Sequence, residues 1–443
     1  MRHKSQGRGD VDFDDWLDKV PNLTAPEPRR PKPSSLYPHL LKVHIRSMEN
    51  CQKLAALIQR PLEHGKELVF TEKSRFKSDK WIFVGPKRPP RIRKIHDAQE
   101  NYWQGMPDFE NQRIPRFTFK LVFRTAKAYA AFARLVKQKL STDTKAIWYP
   151  SATPQITKKK HWVSRAKYQN PRYPIYIISK GRGDTRLTSN ALERIGVPYK
   201  IVIEPQEYDE YSCVIDEDRI LVANFSNHGK GSGPARNFAW DHARTIGAKR
   251  HWVLDDNIKQ FYRLHENKRI AVADGAIFRA AEDFVDRFSN VPLAGFHYDF
   301  FVPASEHQPP FVFNSRIFSC LLIDTTCPHR WRGRYNEDVD LSLRVMKDNK
   351  CTILFYAFLA GKAATQSMGG GNTAEFYAEE GTLRKSRMLK AMHPDCVEVV
   401  WRYNRWHHHV TYGNLKENRP RLRKTKVSRS RTNDPYSMIL VPD

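Results

Sequence analysis

GKGSGPARNFAWDHARTIGAKRHWVLDDN (Gly229–Asn257) decides the fold. Its Gly-rich opening runs into Pro234, a residue suited to the first turn of a helix. ARNFAWDHARTIG carries that helix to Gly247, where helices commonly stop. The apolar strand HWVLDDN (His251–Asn257) comes next. In a doubly wound α/β sheet, sites sit at the carboxyl ends of such strands. Two groups here carry chemistry. Backbone N–H groups of the loop, with Lys230 and Arg236, suit a diphosphate. Asp255 and Asp256, adjacent at a sheet edge, repel one another unless a cation or donor compensates, and hard oxygen ligands suit Mg²⁺ or Mn²⁺. Capping a helix is the alternative role for these acids.

The pattern extends both ways. Upstream, YPIYIISKGR (Tyr173–Arg182) is an apolar strand ending in Ser179-Lys180-Gly181-Arg182, either a binding turn or an ordinary polar one. A helix over Leu187–Ile195 and a strand over Tyr199–Ile203 follow, and another short strand precedes the glycine loop. Downstream, RGRYNEDVDLSLRVM (Arg332–Met346) sets Glu337, Asp338 and Asp340 ahead of an amphipathic run. Acids in a first helical turn are favoured by the dipole; alternatively, one carboxylate faces a site as general base. The strand Cys351–Lys362 leads to QSMGGGN (Gln366–Asn372), whose glycines mark a close approach or a lid. In the strand WHHHV (Trp406–Val410), alternation lets at most His407 and His409 face one site together. The expected fold class is α/β, a doubly wound mixed sheet spanning 171–415.

An internal repeat precedes it. LKVHIRSMENCQKLAALIQRPL (Leu41–Leu62) aligns without a gap onto FKLVFRTAKAYAAFARLVKQKL (Phe119–Leu140), an offset of 119 − 41 = 78. Each copy alternates apolar and polar residues, switches to helical spacing, and closes on a short strand. Two β-α-β units of this kind predict a small α+β ferredoxin-like module over 37–150. The Pro-rich residues 1–36 read as a disordered arm, 151–170 as a polar linker, and 416–443 as a flexible basic tail.

The chain has 443 residues, and 75 Lys and Arg against 48 Asp and Glu give 75 − 48 = +27. That excess favours a polyanion, nucleic acid above all, over a merely solubilising surface. The basic residues bunch at Lys87, Arg88, Arg91, Arg93 and Lys94, at Lys158, Lys159 and Lys160, and in the tail at Arg421, Arg423 and Lys424. A 40% hydrophobic content suffices for real cores. No apolar run approaches the roughly 20 residues that span a bilayer, so no membrane partner is expected. The six cysteines form no CxxC pair and read as reduced thiols. With no apolar stretch behind the first charges, a cytoplasmic location is expected.

The order of features is more specific than any one of them. The polar strand end, the ARN helix, the LDDN strand end and the later NEDVDLSLR resemble the GT-A nucleotide-diphospho-sugar glycosyltransferases over roughly Arg172–Leu415. SKGR, ARN, MGGGN and HHHV together look most like the TET-associated glycosyltransferases of bacteriophages. That resemblance implies a transferase that moves sugar from a nucleotide donor, such as a UDP-sugar, onto the hydroxymethyl group of a modified pyrimidine in DNA. It further implies donor contacts from Ser179, Lys180, Arg182, Arg236, Asn237 and Asp255, and a base drawn from Glu337 and Asp338. A Mn²⁺ or Mg²⁺ ion would be held by Asp255, Asp256 and Asn257 together with His407 or His409. Asn257 departs from the acid usual at the third DxD position. Tyr262, Phe300, Phe301 and Trp331 are candidates to stack on a base, or else core residues. The alternatives are the same fold with a non-DNA acceptor, an inactive nucleic-acid-binding scaffold, and a carboxylate nuclease.

Overall fold

The computed structural model describes residues 39–45, 48–59, 62, 66–70, 82–83, 102–109, 117–141, 144, 146–151, 156–167, 169–226, 229–302, 308–363, 378–402, 405–423 and 436–442. The expected arm, the basic insert at 85–95, Lys424 and the MGGGN loop lie outside these residues.

In the amino-terminal unit, β1 (His39–Ile45), α1 (Met48–Leu57) and β2 (Lys66–Phe70) form one copy of the repeat. After the short β3 (Ile82–Phe83), β4 (Phe117–Phe123), α2 (Ala126–Leu135) and β5 (Ala146–Tyr149) form the other. First strands and first helices start 117 − 39 = 78 and 126 − 48 = 78 residues apart, so the sequence repeat is also a structural one. Alternation buries Leu41, Val43 and Ile45 in one copy and Phe119, Leu121 and Phe123 in the other. Leu54 and Ile58 answer to Phe132 and Val136 in the same core.

The strand order is β3-β2-β4-β1-β5. β1 pairs antiparallel with β4, whereas β1–β5 and β2–β4 are parallel. In a ferredoxin-like unit the two strands of each copy run the same way; here they run oppositely. The order of β2, β4, β1 and β5 is that of a ferredoxin-like unit but the strand directions are not, so the expected ferredoxin-like module is not what forms. A local two-fold fixes the antiparallel centre, and each copy then lays its second strand parallel to the other copy's first.

The rest of the chain builds one large mixed sheet. In order come β6 (Ile156–Ser164), β7 (Ile175–Ile178), α3 (Leu187–Arg194), β8 (Lys200–Ile203), α4 (Tyr208–Ser212), β9 (Ile220–Val222), α5 (Gly233–Thr245) and β10 (Arg250–Asp255). Then follow β11 (Ile258–His265), β12 (Lys268–Val272), α6 (Ala276–Val285), β13 (Leu293–Tyr298), β14 (Phe311–Phe313), β15 (Cys320–Asp324), α7 (Glu337–Lys347), β16 (Thr352–Lys362) and α8 (Ala378–Met392). A hairpin of β17 (Val397–Arg402) and β18 (Arg405–Val410) stands apart, and β19 (Met438–Pro442) returns to the large sheet.

The order β9-β8-β7-β10 is parallel throughout. The chain winds β7, β8, β9 to one side, then crosses by α5 to place β10 on the other side of β7. That reversal is a topological switch point, and the crevice at the carboxyl ends of β7 and β10 is where such sheets bind ligands. β10 is buried on both faces. Trp252 and Leu254 pack with Phe278 and Phe296, while Val253 packs with Trp240, Leu341 and Val345 of α5 and α7. The register is therefore tightly specified, and with it the position of Asp255.

Two expectations about boundaries fail. The expected linker supplies β6, which pairs with β12 and β19. The basic tail likewise ends in β19 and is tethered earlier: the Arg421 N–H donates to Asn290 Oδ1 (2.8 Å) and the Arg423 N–H to the Arg287 carbonyl (2.7 Å). The charge count of the tail hides its last apolar residues, which complete a sheet edge. The segment Tyr102–Phe109, between the repeat copies in sequence, buries Trp103 among Phe284 of α6 and Phe311, Phe355 and Phe358 of the large sheet. Among the described residues no helix is long and apolar enough to cross a membrane.

Candidate active site

Helix starts and strand ends converge on a cavity of about 420 Å³ at the switch point, within the usual range for small-molecule sites. β7 contributes its polar end. Ser179 Oγ and Tyr211 OH lie 2.6 Å apart, and the Arg182 N–H donates to Tyr211 OH (3.2 Å), so α4 fixes this turn. Lys180 reaches Glu204 at 3.4 Å on the wall. Beyond β10, Arg182 forms an ion pair with Asp256, which also accepts from Ser179 Oγ (3.2 Å).

The glycine loop brings two helix starts together. Gly231 has φ +71°, and a Cβ there would stand 2.6 Å from the Arg334 carbonyl. Only glycine permits that approach. It seats the first turn of α5 against that of α7, so Ser232 Oγ donates to Glu337 Oε1 (2.6 Å). One turn on, Arg236 is 3% exposed and serves three acids and a hydroxyl. Its Nη2 meets Asp255 Oδ1 at 2.6 Å, its Nη1 Asp338 Oδ1 at 3.2 Å and its Nε Ser232 Oγ at 2.9 Å, with Glu337 3.7 Å from Nη2. The guanidinium lies over the Trp331 ring, 4.6 Å from its centroid. Burial opposes its charge, but Asp338, Asp255 and Glu337 outweigh that and hold it firmly protonated.

Lys362, the last residue of β16, completes the floor. Its Nζ donates to Asp255 Oδ2 (2.7 Å) and Ser319 Oγ (2.6 Å) and lies 3.4 Å from Tyr298 OH. Burial would lower the pKa of this ammonium, but Asp255 and Tyr298 raise it well above the ordinary lysine value. Conversely, Asp255 stays ionised far below the usual carboxylate range: burial is overcome by Lys362 and Arg236. Asp338 differs. It is buried, accepts from Arg236 and from the Ser319 N–H (3.3 Å), and faces the cavity. Burial, only partly offset by Arg236, pushes its pKa up to about 7.

The structure brings together Ser179, Lys180, Arg182, Arg236, Asp255, Asp256, Asn257, Glu337, Asp338 and His407 around this cavity. It does not bring in Asn237, whose amide clamps the Trp331 backbone instead (2.8 and 3.0 Å). Successive helical residues point about 100° apart, so Arg236 faces inward and Asn237 does not. Nor does His409 line the wall; its ring meets Arg402 at 3.5 Å, and His408 lines the cavity beside His407. β18 belongs to a separate hairpin, and it meets the cavity with two neighbouring residues rather than one face. Burial, Arg316 and Lys385 press His408 down to about 3, so it is neutral. Phe301 stands on the rim and Phe300 beside it, 55% and 44% exposed, whereas Tyr262 and Trp331 are core. Lys160, Arg421 and Arg423 are exposed and lie outside the cavity lining. Lys158 and Lys159 lie in β6 without described side chains, and Lys87, Arg88, Arg91, Arg93 and Lys94 lie outside the described residues.

The donor set does not fit a bridging dication. Every carboxylate oxygen of Asp255 and Asp256 already meets an arginine, a lysine or a hydroxyl. A dication at Asp255 would have to displace the Lys362 ammonium and the Arg236 guanidinium that already neutralise it. Asn257 Oδ1 is buried without a partner, and it offers one oxygen where six are customary. A second group of possible ligands, His393, Asp395 and Cys396, lies elsewhere with ligand atoms within 4.8 Å of one another. Lys347 occupies it, 3.0 Å from His393 Nδ1 and 2.7 Å from Asp395.

Sequence reading missed Lys362, Ser319, Tyr298, Ser232, Arg316 and Lys385. A lysine closing TILFYAFLAGK was the one legible signal, since a charge at the end of a buried strand needs a destination.

A sequence model of the TET-associated glycosyltransferase family matches residues 173–371, which bears out the resemblance drawn from the motifs. No curated protein matches the chain. Among solved structures, the chain is similar to a putative nucleotide-diphospho-sugar transferase from Desulfovibrio desulfuricans G20. Identity is 11% and the TM-score 0.26, covering 42% of this chain and 80% of that one. A mannose-6-phosphate isomerase from Helicobacter pylori gives 10% identity and a TM-score of 0.17, covering 56% and 89%. Neither structural likeness is close enough to bear on activity.

Proposed function

We propose, from the match of residues 173–371 to the TET-associated glycosyltransferases, that this chain transfers a sugar from a nucleotide-diphospho-sugar to the hydroxymethyl group of a modified pyrimidine in DNA. The observation that carries the reading is Asp338. It is a buried carboxyl facing a switch-point cavity, and its pKa of about 7 matches the working pH of a general base. The excess of +27 supports the polyanionic acceptor.

The chemistry follows from charge. As the bond between sugar and diphosphate breaks, negative charge grows on the leaving oxygen and positive character on the sugar carbon. Cations that line the cavity, with two helix starts beside them, stabilise the leaving group. Asp338 takes the proton from the attacking hydroxyl while Arg236 and the Ser319 N–H hold its carboxylate in place. Glu337, fixed by Ser232, neutralises part of Arg236 and so keeps that guanidinium from holding Asp338 fully ionised. The exposed Phe300 and Phe301 offer the acceptor base a stacking surface, and an extruded nucleotide would reach it at an unpairing cost of a few kcal/mol. A cytoplasmic site of action accords with the free thiols.

The test is mass spectrometry of nucleosides from hydroxymethylated DNA treated with the protein and a panel of nucleotide sugars. A hexose or pentose adduct on the modified pyrimidine is expected. Transfer to a protein or glycan acceptor, with none to DNA, would move the acceptor reading elsewhere.

A further inference from the structure

The floor of the cavity is a closed ionic lattice. Asp255 is held by Lys362, Arg236 and Ser319, and Asp256 by Arg182 and Ser179. Lys362 Nζ stands against one oxygen of Asp255 at 2.7 Å, while its hydroxyl partners are Tyr298 at the end of β13 and Ser319 in the turn just before β15. Three elements therefore converge on one ammonium, as ligands converge on an ion. Around it the cavity wall carries Lys180, Arg182, Arg236, Arg316, Lys362 and Lys385 against Glu204, Asp255, Asp256, Glu337 and Asp338. The balance is 6 − 5 = +1 before any ligand enters. A carboxylate edge built to recruit a dication would instead be strongly negative when empty.

We infer that Lys362 fills the place of a divalent metal, and that it and the neighbouring arginines bind a donor's diphosphate without one. The inference rests on the nucleotide-sugar reading above and names the groups that do its electrostatic work. Lysine serves here as a compact point charge on a pre-set stem, and the arginines add directional donors. Because Asp255 and Ser319 fix the ammonium before the donor arrives, the charge needs no reorganisation as the leaving group forms. Asp255 is then a positioning residue for Lys362 rather than a metal ligand.

Two probes test this on the full chain. Inorganic pyrophosphate, titrated calorimetrically in excess EDTA, should bind the wild type. Lys362→Met should weaken it by about tenfold or more, and Lys362→Arg should restore most of the loss. Mn²⁺ alone, followed by its free-ion electron paramagnetic resonance signal, should remain unbound by the wild type at about 100 μM, far above a typical sensor affinity. Pyrophosphate retained only when Mn²⁺ is present would overturn the inference. So would stoichiometric Mn²⁺ uptake that Asp255→Asn abolishes, a result needing no lysine variant to fold. Failure of the nucleotide-sugar reading looks different: pyrophosphate binds in EDTA, yet no nucleoside diphosphate competes with it.

Discussion

Asp338 and Asp340 stand two residues apart on α7, and the helix gives them opposite surroundings. On the cavity side, Asp338 shares a single arginine with two other acids, and burial pushes its pKa up to about 7. On the rear side, Asp340 is 0% exposed and meets three partners: Arg332 (3.1 Å), Arg344 (2.8 Å) and His393 (2.9 Å). Burial again works against its charge, but His393, Arg344 and Arg332 overcome it and hold its pKa down to about 2. The same side chain, buried in both places, is a proton acceptor on one face and a permanent anion on the other. What differs is the number of donors per carboxylate, which the packing of α7 against α8 and its preceding loop decides. A third buried carboxyl, Glu282 of α6, shows that a raised pKa alone does not mark a site. Burial lifts it to about 7 as well, yet it is spent on the Arg172 and Tyr173 N–H groups and Trp252 Nε1 and does not line the site cavity.

The largest effect should come from the rear face. Asp340→Ala leaves a void and removes the carboxylate that Arg332, Arg344 and His393 Nε2 share. Breaking a buried ionic group of this kind costs about 3–5 kcal/mol. Urea unfolding followed by circular dichroism measures it; a loss under about 1 kcal/mol would mean that the rear network does not anchor α7.

Asp338→Asn sharpens the contrast from the cavity face. The amide keeps the shape and loses the base, so sugar transfer should slow by about 100-fold or more while pyrophosphate affinity holds. The wild-type rate should rise about tenfold per pH unit below roughly 7 and then level, since only ionised Asp338 accepts the proton. A rate unchanged by the substitution would move the base to Glu337.

How much of this was legible beforehand depends on range. Local pattern placed the strand ending in Asp255, the helix bearing Arg236 and the acids opening α7, because each is set within a dozen residues by alternation, a proline and a dipole. The 78-residue repeat was equally plain and returned as matched cores. What failed was long-range. Lys362 meets Asp255 across 107 residues, and no local rule announces that a strand-end lysine fills a carboxylate's second oxygen. The Ile156–Ser164 strand looked like linker because it is rich in lysine, and the apolar β19 like tail because a long basic run precedes it; only pairing with one another and with β12 gives them structure. Asp340 could not be told from Asp338, since the same dipole argument covers both.

The smallest effect is thermodynamic, and its sign separates the two faces. Asp338 holds its proton to a higher pH when folded than when unfolded, where 3.8 is usual. Its contribution is therefore fully present below that value and is lost as pH rises through about 7. Asp340 is depressed to about 2, so its contribution is present above 3.8 and fades only as pH falls through 2. Between pH 5 and pH 8 only Asp338 of the two changes, and Glu282, also raised to about 7, titrates alike in the wild type and both variants. Over that interval the melting temperature of the wild type should drop relative to Asp338→Asn by about 2 °C or more, because the variant carries no charge to bury. The gap between the wild type and Asp340→Ala should stay constant. If both gaps move together, the two carboxyls share one electrostatic environment, and α7 does not divide a site from its support.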